Sequence, residues 1–184
     1  MQSAATRLSV HPLLAIVVAL GVSACASGPA VDPNEGGPVT LLSVPVEGAQ
    51  ISRGFGVWRH PILGYRRMHR GIDYATPRGT PVRATGDGVV EVAGWHGGFG
   101  RYIRIRHRGG VRTIYAHLSH IAASVRKNEP VKIGTVIGLT GSSGLSTGPH
   151  LHYEVWRGQV AIDPAKLHRY RQFVLRGKQL SAGD

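Results

Sequence analysis

Two short stretches of this 184-residue chain hold the donors of a metal site: His69-Arg70-Gly71-Ile72-Asp73 and, much later, His150-Leu151-His152-Tyr153-Glu154. Three imidazoles and a carboxylate are the nitrogen and oxygen donors that a zinc ion prefers. In an extended chain side chains alternate faces, so His150 and His152 point one way and Leu151, Tyr153 and Val155 the other. On the same ground His69, Gly71 and Asp73 share a face, with Gly71 leaving room between the two donors. Segments like these, run side by side, bring their donors to one spot. An ordinary half-exposed strand spaces two histidines in the same way, but that reading has to explain several coincidences at once.

The elements that must position these groups read as strands. Gly86-Asp87-Gly88 is a turn leading into Val89-Val90-Glu91-Val92-Ala93. Arg101-Tyr102-Ile103-Arg104-Ile105-Arg106 alternates apolar with basic, as a half-exposed strand does. Residues 111–117 and 135–140 follow as further strands, and the Gly- and Ser-rich residues 141–149 form a loop that delivers the chain into His150. Near the end, Asp163-Pro164 predicts a helix N-terminus. Leu167, Tyr170, Phe173 and Val174 then recur at helical spacing before Gly177, which predicts a short C-terminal helix with a solvated basic face.

Composition agrees with short strands and many turns: there are 26 glycines and 11 prolines, with few acidic or helix-favouring residues. The formal charge is +12 and residues 1–24 hold only Arg7, so a chain processed there keeps 12 − 1 = +11. Such a surface favours polyanions: nucleic acid, anionic lipid headgroups or an acidic wall polymer. No stretch resembles a nucleic-acid module and the aromatics are scattered, so no nucleic-acid partner is expected. The single cysteine, Cys25, excludes an intrachain disulfide and a thiolate zinc site. Arg7 precedes an apolar run over residues 13–22, shorter than the ~20 residues of a membrane span and suited to a signal-peptide core.

Val22-Ser23-Ala24-Cys25 resembles the bacterial lipobox, in which the cysteine becomes the lipidated first residue after cleavage; the alternative is an ordinary secretory signal with an incidental cysteine. The organisation expected is a lipoprotein signal peptide over residues 1–24, then a lipidated Cys25 and flexible tether over 25–48. Within that tether only residues 41–46 suit an edge strand. A catalytic domain over 49–165 and a basic helix or tail over 166–184 complete the chain. Ala26 after the cysteine implies retention at the outer membrane, facing the periplasm of a Gram-negative cell.

Four segments in order resemble the lysostaphin-like zinc endopeptidases that cut peptidoglycan cross-bridges. They are Gly54-Phe55-Gly56 with Arg59-His60-Pro61-Ile62, then Met68-His69-Arg70-Gly71-Ile72-Asp73, then Thr113-Ile114-Tyr115-Ala116-His117-Leu118, and finally residues 146–154 ending in His150-Leu151-His152-Tyr153-Glu154. The likeness spans about residues 51–164. It implies a mostly β, antiparallel fold, a partly closed barrel-sandwich with a groove across the sheet. It also implies one Zn2+ ion held by His69, Asp73 and His152, with His117 and His150 as the catalytic pair. Three protein ligands leave a position for water, as catalytic zinc requires, and zinc lowers the pKa of that water towards ~7. Oxyanion stabilisation and protonation of the leaving amine fall to the metal and the imidazoles.

Glu154 shares a strand face with both motif histidines and reads equally as a second partner of one of them or as a surface carboxylate. His11, His60, His96, His107, His120 and His168 read as surface or structural groups. Asn128-Glu129 stands where many relatives carry a glycine-led turn, and asparagine tolerates the same left-handed backbone. The partners implied are peptidoglycan stem peptides and cross-links, a membrane through Cys25, and a cell-wall regulatory protein. By compartment, the bond implied is D-alanyl to meso-diaminopimelate. The competing expectation is a non-catalytic relative that activates a cell-wall amidase; such relatives typically lose metal ligands, whereas all five site residues are present here.

Overall fold

Within Arg101–Arg106 the isoleucines Ile103 and Ile105 are buried on the core face, while the opposite face carries the half-buried Arg104 and Arg106 and the buried Tyr102, which joins a second apolar cluster with Ile114 and Ala116. The computed structural model containing this strand describes residues 39–42, 44–59, 64, 66–167 and 172–175. The expected signal peptide, Cys25, the first part of the expected tether and His60 lie outside the described residues. In chain order the described strands begin with β1 (Val39–Leu42), β2 (Gln50–Arg53), β3 (Gly56–Arg59), β4 (Arg66–His69) and β5 (Ile72–Ala75). Then come β6 (Pro81–Arg83), β7 (Gly88–His96), β8 (Gly100–Arg106), β9 (Val111–Leu118) and β10 (His120–Ile121). The last are β11 (Pro130–Val131), β12 (Val136–Leu139), β13 (His150–Arg157), β14 (Val160–Ile162) and β15 (Gln172–Leu175).

The main sheet has the order β11-β7-β8-β9-β13-β5-β2, with β14 paired to β13, and each pairing is antiparallel. A smaller sheet, β10-β12-β6, sends Val82 and Ile137 into the same core, and β3 and β4 form a separate hairpin. The architecture is mostly β and antiparallel, as expected, and among the described residues its sheets are open rather than closed into a barrel. One face of the main sheet builds the core from Tyr74, Ile103, Ile105, Tyr115, Leu151 and Tyr153. The other face carries Asp73, His152, Glu154 and Trp156. Asn128 adopts φ +71° in the turn before β11, the left-handed conformation expected there.

Two expectations are corrected. The predicted C-terminal helix is absent among the described residues. Asp163 does cap, accepting the Ala165 N–H at 2.9 Å, but only one 3-10 turn follows, Pro164–Leu167. Beyond it Gln172–Leu175 is strand β15, paired antiparallel with β1. Phe173 and Val174 favour strands, and an available strand edge outweighs a weak helical propensity. The far end of the expected tether is also packed. Leu41 and Val46 are fully buried in the core, so the folded unit starts before residue 49.

Beneath the sheet His107 is buried in a polar chain. Its Nδ1–H donates to the Asp87 carbonyl at 2.8 Å and its Nε2 lies 2.8 Å from Thr113 Oγ1. Thr113, Tyr115, Thr85 and Tyr153 continue the chain and tie β9 to β13. Burial dominates over the nearby Asp87 and Glu91 and pulls the His107 pKa down to about 4. Unfolded, it titrates near about 6.5, so between these values the unfolded chain binds more protons and stability rises with pH. The contribution is complete above about pH 6.5 and is lost towards about pH 4, about 3 kcal/mol in all. Urea midpoints measured from about pH 7.5 down to 4.5 should show this slope. A His107→Gln variant should flatten it; an unchanged slope in that variant contradicts the assignment.

Candidate metal centre and groove

Strand pairing sets the first contact. His152 on β13 lies directly opposite Asp73 on β5, and on its other side opposite Ala116 on β9. His69 arrives differently from the sequence expectation. It ends β4 in the separate hairpin, and the chain bends at Arg70-Gly71 before β5, so His69 and Asp73 do not share one continuous strand. Gly71 makes that bend possible by approaching β13 closely: a Cβ there would sit 2.3 Å from the Tyr153 carbonyl oxygen and 3.0 Å from His152 Cε1. The room it provides is towards β13 and not between the two donors.

His117 breaks the alternation. Following Tyr115 by two, it would face the core; instead its backbone takes φ +61°, rare for a side-chain-bearing residue. A register irregularity between β8 and β9 accompanies the turn. The conformation costs about 1–2 kcal/mol. It is held by the His117 N–H donating to the Phe99 carbonyl at 2.9 Å and by His117 Nδ1–H donating to the Ser143 carbonyl at 2.7 Å. As a result the His117 and His150 rings lie 4.6 Å apart, centroid to centroid.

Each of the four imidazoles has one nitrogen tied to a fixed acceptor. His69 Nδ1–H donates to the Gly54 carbonyl at 2.7 Å, and His150 Nδ1–H to the Gly148 carbonyl at 2.8 Å, with Ser146 Oγ 3.3 Å away. His152 Nε2–H donates to Glu154 Oε1 at 2.9 Å, and Trp156 Nε1–H holds the other Glu154 oxygen at 2.5 Å. Glu154, only 4% exposed, is thus a partner of His152 and not a surface carboxylate. The remaining lone pairs of His69 Nε2 and His152 Nδ1 converge with Asp73 Oδ1, at 3.1 Å between the nitrogens and 3.1 and 2.7 Å to the oxygen. Three acceptors at such distances repel one another unless a cation lies among them.

Electrostatics point the same way. Burial alone would lower His152, but hydrogen bonds to Asp73 and Glu154 reverse this and raise it to about 9. Burial raises Asp73, yet bonds from His152 and His69 hold it well below the usual carboxylate range. The cluster therefore demands positive charge, supplied by a proton or by a metal ion. The residues fit a metal. The ligand atoms of His69, Asp73 and His152 all lie within 4.8 Å of one another. A tetrahedral ion with bonds of about 2.0–2.2 Å keeps its ligand atoms about 3.3 Å apart, close to the two 3.1 Å separations and wider than the 2.7 Å one. His117 stays neutral at ordinary pH, drawn down to about 4 by burial first and by His150 and His152 next.

The cluster opens into a groove of about 650 Å³. Phe99 stacks on His152 at 5.7 Å, and His96, expected as a surface or structural group, lines the wall. Sequence reasoning missed Trp156, although the His152, Glu154, Trp156 spacing of two places all three on one strand face. It also missed Ser143 and Phe99, which hold His117 and carry no signal of their own.

Residues 67–164, just over half of the chain, match the model of peptidase family M23. The chain belongs to peptidase family M23. It is 49% identical over 123 residues to the DD-carboxypeptidase/endopeptidase Mpg of Neisseria meningitidis, covering 67% of this chain and 28% of that protein. It is 39% identical over 139 residues to the peptidoglycan DD-endopeptidase ShyC of Vibrio cholerae, covering 75% and 32%. This M23 chain thus spans about a third or less of the curated relatives it matches. Among solved structures, a zinc containing peptidase from Vibrio cholerae superposes with a TM-score of 0.64 at 40% identity, covering 68% of this chain and 39% of that one. The catalytic domain of lysostaphin from Staphylococcus simulans gives 0.59 at 34% identity, covering 66% and 93%.

Proposed function

We propose that the chain is a zinc-dependent endopeptidase that hydrolyses peptide cross-links of peptidoglycan in the cell envelope, with D-alanyl to meso-diaminopimelate as the expected bond. The carrying observation is the convergence of His69 Nε2, Asp73 Oδ1 and His152 Nδ1 beside a second imidazole pair in an open groove. The relatives' names support the substrate class. His69 Nε2, Asp73 Oδ1 and His152 Nδ1 are the atoms that would hold one ion. Zinc bound there supplies Lewis acidity and brings the pKa of water towards ~7.

The chain's own groups handle the protons. His117, neutral and fixed through Nδ1, offers Nε2 as a base; His150, fixed in the same sense, offers Nε2 as its partner. We assign to this pair uptake of the proton from attacking water and its return to the leaving amine nitrogen. Glu154 keeps His152 in the tautomer that turns Nδ1 to the cluster. A Glu154→Ala variant is therefore expected to weaken zinc binding by about 10–100-fold, read by competition with a chromogenic chelator. Unchanged affinity would rule that role out. Lipidation at Cys25 and outer-membrane attachment remain part of the proposal, supported by the Val22-Ser23-Ala24-Cys25-Ala26 pattern.

The direct test is mass spectrometry of muropeptides from purified sacculi treated with the full chain, with and without chelator. Cross-linked dimers should disappear and monomers accumulate only without chelator. Dimers that persist in both arms favour the amidase-activating alternative, and loss that ignores chelator contradicts metal dependence.

A further inference from the structure

The two walls of the groove differ in charge. The loop side presents Phe99, Leu145, Thr147 and Pro149, with the His96 imidazole beside Phe99 and no lysine, arginine or carboxylate. The opposite side, from β2, β4 and the link after it, presents the exposed Arg53, Arg67 and Arg70. The lining carboxylates, Asp73 and Glu154, are buried and bonded to imidazoles, so they leave the outer rim positive. A ligand complementary to both walls carries negative charge along one side only.

Arg53 is set apart by what fixes it. Its guanidinium carbon lies 5.0 Å from the centroid of the Trp58 ring. A guanidinium held over an aromatic ring by a cation–π contact keeps the N–H donors that point away from the ring for a planar acceptor. Nη1 forms an ion pair with Asp73 Oδ2 at 3.7 Å, too long for a hydrogen bond, and the side chain is 48% exposed. The other Asp73 oxygen is the one that faces His69 and His152. The guanidinium therefore stands one carboxylate away from the metal cluster, on the groove side, with donors to spare.

We propose that Arg53, held over Trp58, is the carboxylate-recognising residue of the groove and selects peptides that carry a free carboxylate beside the scissile amide. This rests on the endopeptidase reading above. A carboxylate offers two coplanar oxygens, which match the guanidinium edge in a bidentate pair. It can belong to the peptide C-terminus or to the side chain of a cross-linking diamino acid, and both present the same group.

The test uses the full chain and synthetic cross-linked peptides in three forms: both carboxylates free, the C-terminal one amidated, and the diamino-acid one amidated. Binding by titration calorimetry is measured beside cleavage. Amidating the recognised carboxylate should lower kcat/KM and affinity about 10–100-fold, the range of a charge-assisted hydrogen bond, and whichever amide does so names the source. In Arg53→Gln the ratio of free to amidated should fall to about one, while Arg53→Lys, a point charge without the fork, should recover part of it. Zinc content and melting temperature, compared across these variants, separate recognition from damage to the cluster. Wild-type chain that ignores both amidations, or Arg53→Gln that keeps the discrimination, overturns the proposal. Discrimination in binding without any cleavage upholds Arg53 and overturns the peptidase reading instead.

Discussion

An Asp73→Ala chain is expected to come through dialysis without zinc and to release nothing from sacculi above background. Asp73 is the only carboxylate among the three converging donors, and its Oδ1 touches both His69 Nε2 and His152 Nδ1. Removing it leaves two imidazoles for a divalent cation, too few ligands and no compensating negative charge among them. The loss reaches further than one bond. Asp73 and Glu154 together hold His152 up near 9, so with Asp73 gone the ring loses one of the two carboxylates that favour positive charge beside it. Metal analysis of the dialysed variant, beside the same assay on the wild type, checks this. Zinc retained at the wild-type ratio would remove Asp73 from the ligand set.

His150→Ala is expected to behave oppositely: the metal stays and hydrolysis falls by about 10²–10⁴, the range for loss of a positioned acid or base. The His150 Nε2 lies 3.9 Å from Asp73 Oδ1, outside the tight cluster, and its ring is in contact with His117. On the proposed pairing of the two imidazoles in proton transfer, His117→Ala should cost about as much, and the double variant little more than either single one. Zinc content and muropeptide release measured on the same preparations separate the roles. If His150→Ala lost zinc as Asp73→Ala does, His150 would be a ligand; if it kept full activity, the proton-transfer assignment would fall.

Much of this arrangement is legible in local pattern. Period-two alternation is enough to place His150, His152 and Glu154 on one face of β13. The basic-apolar alternation of residues 101–106 gives a central strand of the main sheet. What local pattern does not carry is long-range pairing and departures from alternation. Phe173 and Val174 fit a helical face equally well until β1 is known to offer an edge. His117 reaches the groove only through a left-handed residue held by Phe99 and Ser143, contacts made between loops far apart in the chain. Arg53 gains its place from pairing of β2 with β5, where an irregularity sets it opposite Asp73. Gly71 was legible as a space, but the strand it makes room for was visible only in three dimensions.

X-ray absorption at the zinc edge of the metal-loaded full chain is the most direct test that these distant donors share an ion. The expected first shell is nitrogen and oxygen only, at about 2.0–2.2 Å, with the outer-shell signature of two imidazoles. A sulfur scatterer at about 2.3 Å, a shell with no imidazole pair, or a chain that binds no zinc at all would contradict the account.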